Sequence, residues 1–132
     1  MRSMGWLSPF RARPWAEIAA SYHEISSARP AHGYLAAIAD SVLSAELSGL
    51  LAGSTALGDL IVVDRPVPRA PSGAVVVSGP WSRWPASVPG WVRIEHVGPA
   101  GEVVECAVAE AVPVFWQVVA RKFGVAPVAR VS

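Results

Sequence analysis

The chain has 132 residues, the size of one domain, and its eleven basic and ten acidic residues leave a formal net charge of +1. Hydrophobic residues make up 52% and charged residues 16%, against about 25% charged in typical soluble domains. That balance excludes intrinsic disorder, which needs low hydrophobicity and high net charge. It also excludes the electrostatic footprint of a general nucleic-acid binder. The single cysteine, Cys106, excludes an internal disulfide framework and a cysteine-based zinc site.

Residues 1–13 show no periodicity and read as a loose arm, with Trp6 and Phe10 as the side chains able to pin it. This segment holds arginines but no apolar run of about 7–15 residues of the kind a secretory signal needs. The greasiest stretch, AVPVFWQVVA from Ala111, is interrupted by Gln117 and falls short of the roughly 20 residues of a membrane span. A cytoplasmic location, away from any membrane, is therefore expected. Arginine supplies ten of the basic residues and Lys122 the eleventh, the bias of a GC-rich, bacterial-type coding sequence, so any lysine chemistry falls to Lys122.

A single domain is expected over 14–124, followed by a tail at 125–132. Pro14 suits the first position of a helix, and Trp15, Ile18, Ala19, Tyr22 and Ile25 then recur at helical spacing until Arg29-Pro30 ends the element. A second helix is expected from Tyr34 to Leu51, striped by Leu35, Ile38, Val42, Leu47 and Leu50, with Gly53 as its stop. Four strands of a mainly antiparallel sheet follow at about 59–64, 74–78, 91–97 and 102–108. The first two are β-branched runs expected to be covered on both faces. The last two are joined by Gly98-Pro99-Ala100-Gly101, the clearest hairpin signal in the chain. A symmetric closure pairs Val97 with Glu102, Glu95 with Val104 and Arg93 with Cys106. It sets Val92, Ile94, His96, Val103 and Ala107 on one face and Cys106 on the other. A last helix is expected over 113–123, with Glu110 before it and Gly124 as its C-terminal stop. The fold class is α+β.

Recognised catalytic patterns are missing. No G-x-S-x-G elbow, phosphate loop or dinucleotide fingerprint occurs, and His23, His32 and His96 are too scattered for a metal array. Cys106 and His96 fall on opposite faces in the expected register, so no thiol–imidazole pair is expected. The segment Gly58-Asp59-Leu60-Ile61-Val62-Val63-Asp64, with Gly73-Ala74-Val75-Val76-Val77, resembles the β-core of self-cleaving repressor and signal-peptidase-like proteases. Those proteases carry a Ser-Met pair upstream and a lysine on a later strand. Here the upstream positions are Gly49 and Leu50, and no strand holds a lysine. The resemblance implies a strand–turn–strand core without the catalytic dyad.

The aromatic residues carry the functional expectation. Trp81, Arg83, Trp84 and Trp91 lie in or beside a proline-rich loop, and Trp116 and Phe123 lie on the last helix. Tryptophan and arginine are the residue types enriched at binding hot spots. A competing reading has these tryptophans fold back to cover an apolar sheet edge. The expectation is a non-enzymatic interaction domain of adaptor, immunity or regulatory type, without cofactor or metal, that self-associates as a homodimer or binds another protein. The alternative is a small-molecule pocket or enzyme using Arg93 and Glu95 between sheet and helices, near Tyr22 or His23. A dimeric DNA-binding regulator is the third reading, and it requires strongly salt-dependent DNA binding.

Overall fold

A computed structural model describes residues 10–67, 73–99 and 101–127. Trp6 and much of the expected tail lie outside the described residues, as does the middle of the loop between the first two expected strands. Helix α1 (Trp15–Ala28) is capped by Pro14, whose carbonyl accepts from the Glu17 and Ile18 N–H groups. It buries Trp15, Ile18, Ala19 and Tyr22, the stripe expected from its spacing. A 3₁₀ turn, Pro30–His32, leads into α2 (Gly33–Ser44).

Helix α2 ends seven residues before Leu51, because Glu46 adopts a left-handed backbone with φ 58°. The Glu46 N–H donates to Leu43 O and the Leu47 N–H to Val42 O, which together form a Schellman motif. Its usual hydrophobic clasp is present, since Leu47 and Val42 are both buried in the same core. A glutamate holds the position that glycine usually takes, which is why the stop is invisible to a search for Gly. The residues freed by this stop make a fifth strand. Strand β1 (Leu51–Ala56) pairs with β2 (Asp59–Asp64) through a two-residue turn at Leu57-Gly58. Both turn residues have positive φ, 52° and 83°, as a type I′ hairpin requires. Gly53 is therefore mid-strand and not a helix stop.

Strands β3 (Ala74–Val77), β4 (Trp91–Val97) and β5 (Glu102–Ala107) complete a five-stranded antiparallel sheet in the order β1-β2-β3-β4-β5. A second 3₁₀ turn, Val108–Glu110, precedes α3 (Ala111–Phe123), which begins two residues before the expected Pro113. Gly124 closes α3 in the left-handed conformation, as its position suggested. The three helices cover one sheet face, where Leu51, Leu60, Val62, Val75, Val77, Val92, Ile94 and Cys106 join the main core. On the opposite face Ala52, Ile61, Val63, Ala74, Val76 and Val97 form a second cluster, against which Phe10 and Val67 pack. Strands β2 and β3 are buried at every position except Asp64, so they are covered on both faces as expected. Part of the expected arm is tied down: the Arg13 N–H donates to Gly53 O, and its guanidinium donates to Thr55 Oγ1 and Ser21 Oγ.

The β4–β5 hairpin corrects the expected register. His96, not Val97, pairs with Glu102, while Val97 pairs with Ala74 on β3. The loop is one residue longer than a symmetric closure, and a slip of one residue turns every side chain of β5 to the other face. Cys106 therefore joins Val92 and Ile94 under the helices, and Val103 and Ala107 lie with Arg93 and Glu95 on the outer face. Glu105 sits opposite Arg93, not Ile94. Cys106 and His96 share a face after all. Cys106 pairs with Val92, however, four residues along β4 from His96, a separation of about 13 Å. Burial, and secondarily the charge of Glu110, pushes the Cys106 thiol up.

Candidate functional site

The loop from Ser78 to Gly90 carries two of the sequence-predicted tryptophans, and short polar side chains fasten it. Asp59 Oδ1 accepts from the Gly79 N–H at 2.8 Å and Asp59 Oδ2 from the Ser82 hydroxyl at 3.1 Å. Ser78 Oγ donates to Trp84 O at 2.6 Å, and the Trp84 N–H donates to Ser82 Oγ at 3.0 Å. Ser87 donates both its N–H and its hydroxyl to Glu105 Oε1, at 2.9 and 2.7 Å, which holds the Glu105 carboxyl below its ordinary value. Gly79 fits so closely that a Cβ there would lie 2.2 Å from Gly58 O.

The predicted interaction residues separate into three groups. Trp84 (43% exposed) lies with its ring 5.9 Å from the Arg93 guanidinium, over the outer face of β4. Trp91 (46% exposed) stands two residues from Arg93 on that same face, and Val103 (49% exposed) lies across from Glu95. The same face carries Arg93 and Glu95, whose Nη2 and Oε1 are 3.4 Å apart. Trp81 (51% exposed) goes to a different place, packed over Gly58 with the Arg29 guanidinium 5.6 Å from its ring. Arg83 is exposed. Trp116 is buried, its indole N–H donating to Ser41 Oγ at 3.0 Å across the α2–α3 contact. Phe123 is half-buried against the main core, edge-on to His96. The outward side of α3 presents Pro113, Gln117 and Arg121, not the two aromatics. Helical spacing alone could not have told which face of α3 is covered by α2.

Of the residues expected to line a pocket between sheet and helices, Arg93 borders a cleft, while Glu95, Tyr22 and His23 do not line it. Arg93 and Glu95 alternate onto the outer face of the sheet, and Arg93 lies at its end, where it also borders the cleft. Tyr22 is buried, its hydroxyl donating to Gly58 O at 2.9 Å, and His23 pairs with Asp40 at 2.7 Å on the exposed side of α1 and α2. A cleft of about 280 Å³ does exist at the end of the sheet, beneath the Ser78–Gly90 loop. His32 and Tyr34 at the start of α2 form one wall, Trp91 and Arg93 another, and Pro80 and Val88 the roof. The Tyr34 hydroxyl donates to Ser78 O at 2.5 Å. Burial, then the charge of Asp59, raises the Tyr34 phenol well above its ordinary value. Burial, then the charge of Arg29, lowers His32 from its ordinary value and favours the neutral ring.

Among the described residues no three His, Cys, Asp or Glu side chains come together as a metal site, and no helix is long and apolar enough to cross a membrane. Compared with known protein families, curated proteins and solved structures, the chain matches none.

Proposed function

We propose that this protein acts through protein contacts and not by catalysis, and that it pairs with a second copy of itself through the outer face of β4 and β5. The observation that carries the reading is the grouping of Trp84, Trp91 and Val103, each about half exposed, on one sheet face. Single exposed apolar side chains are ordinary, but a cluster with two indoles is the composition of an interface centre. Arg93, Glu95 and Glu105 give the same face both signs of charge. A two-fold axis can therefore set an arginine of one copy against a glutamate of the other.

The sheet edge supports the same partner. β5 is the outermost strand, and the Ser78 N–H donates to Arg93 O, so the backbone of Arg93 points to β3. Alternation along the ladder then turns the N–H and C=O groups of Val103, Glu105 and Ala107 away from β4, toward the open edge. This open edge borders Val103, so a second copy seated on the outer face covers it as well.

The test is sedimentation equilibrium over a concentration series, with Trp84→Ser and Val103→Lys beside the parent chain. The parent is expected at twice 13.9 kDa, and both variants at the monomer mass with an unchanged circular dichroism spectrum. A parent that stays monomeric up to about 100 µM, roughly −5.5 kcal/mol of association, refutes the proposal. So does a dimer that neither substitution weakens.

A further inference from the structure

We infer that the cleft beneath the Ser78–Gly90 loop binds a small, uncharged molecule built on one aromatic ring. The inference goes beyond self-association and does not rest on it, since one copy carries the whole cleft. Six of its fourteen lining residues bear rings: His32, Tyr34, Pro80, Pro85, Pro89 and Trp91. Aromatic faces stack on a flat ring, and proline rings add apolar contact with no rotamer freedom to lose. The roof is also set in advance, because Gly79 and Ser82 donate to Asp59 and Tyr34 donates to Ser78 O. Little ordering entropy then opposes binding.

The charge of the walls sets the class of ligand. Arg93 and His32 are the only lining side chains able to carry positive charge, and among the described residues no carboxylate lines the cleft. The Arg93 guanidinium is already matched, with Glu95 Oε1 3.4 Å from its Nη2 and the Trp84 ring 5.9 Å away on the outer face. Burial, then the charge of Arg29, holds His32 toward its neutral form. An ionised ligand would give up its water here and meet no opposite charge, a loss that a neutral ligand avoids. Size sets the rest. An apolar cavity of about 150 Å³ takes up benzene, so a cleft of about 280 Å³ holds one ring with a short substituent, at the lower end of small-molecule sites.

The test titrates the full chain, at fixed concentration, with benzyl alcohol, benzoate and cyclohexylmethanol, read by amide shifts of the isotopically labelled protein. Benzyl alcohol is expected to saturate with a dissociation constant on the order of 1 mM, its shifts centred on Ala31, Gly79 and Gly90. Benzoate should bind about tenfold more weakly because its charge finds no partner. Cyclohexylmethanol should bind about threefold more weakly because it has no aromatic face to stack. Ala31 is exposed and lines the cleft, so Ala31→Trp should fill it and abolish the benzyl alcohol shifts, with an unchanged circular dichroism spectrum. The peptide Ala-Phe-Ala, capped at both ends, separates a free molecule from a protein side chain. Weaker binding of the peptide supports the free molecule, and binding as tight as that of benzyl alcohol overturns it. No saturable shifts up to about 10 mM, benzoate or cyclohexylmethanol binding as well as benzyl alcohol, or parent-like binding by a folded Ala31→Trp also overturns the inference. The ligand comparisons use the parent protein and stand whether or not the variant folds.

Discussion

Gly53→Ala tests how closely α1 lies on the sheet. A Cβ at Gly53 would stand 2.8 Å from Ile18 Cδ1 and 2.9 Å from two ring carbons of Trp15. Neither neighbour is free to move: Ile18 is fully buried, and the Trp15 indole N–H donates to Leu51 O at 2.9 Å. Adding a methyl group to a packed interior costs about 1–3 kcal/mol. Replacing glycine in a strand returns about 0.5–1 kcal/mol by restricting the unfolded chain. The overpacking wins, and the net expectation is a loss of about 1–2 kcal/mol. The melting temperature should fall by roughly 4–8 °C. Urea unfolding followed by tryptophan fluorescence measures the loss, with the slope against urea unchanged. Ile18→Val removes the closest carbon, so in the double variant the two costs should sum to about 0.5–1.5 kcal/mol less than additivity predicts. A Gly53→Ala protein as stable as the parent, or more so, refutes the close α1–β1 contact and the placement of Gly53 within a strand.

Leu57→Asn should stabilise the chain by about 0.5–1 kcal/mol, because Leu57 is 61% exposed at a φ of 52° that asparagine tolerates better; a thermal melt that does not rise counts against the type I′ turn. The chain has two tyrosines, and burial holds both phenols above their ordinary value, with the charge of Asp59 adding to each. In the unfolded chain they ionise near pH 10. The stability of their neutral native forms is thus fully present below pH 10 and is lost above it, by about 1.4 kcal/mol per pH unit for each phenol. Absorbance at 295 nm should stay flat through pH 10 and then rise for both tyrosines together as the protein unfolds. A separate, reversible midpoint near pH 10 contradicts the burial of one of them.

The three helices and four of the strands were legible because their signals are local. Trp15 to Tyr22 recur every three to four residues, and the valine runs of β2 and β3 sit between turn residues. Strand β1 was not legible, since Leu-Ala-Gly-Ser-Thr-Ala lacks β-branched periodicity and continues the spacing of α2. It became a strand only because Glu46 takes a left-handed backbone, which the tertiary clasp of Leu47 on Val42 compensates. The face assignment of β5 failed by one residue of loop length, which no hydrophobic pattern across Glu102–Ala107 could resolve. At the site, the tryptophan loop was visible from composition. Its division into an outer-face group and Trp81 over Gly58 depends on contacts with Asp59 and Arg29, which lie far off in sequence. Of the cleft, Arg93 was legible as a pocket residue, but its other walls come from the α1–α2 turn and the loop, neither of which carries a motif.

Every strand of the sheet pairs with its immediate neighbour in sequence, and this order governs how the chain assembles. Contacts between near neighbours close small loops, so the sheet can zip strand by strand without the long closures that slow crossed β-topologies. The β1–β2 hairpin, closed by two residues, is the natural start, and α1 and α2 are already synthesised when it forms. Helix α3 arrives last and lies on β3, β4 and β5. Until it docks, one face of those strands, including Val75, Val92 and Ile94, lacks its share of cover. A chain stalled or truncated before Ala111 would therefore be an aggregation-prone species, and the final helix is the step that makes the sheet safe to release.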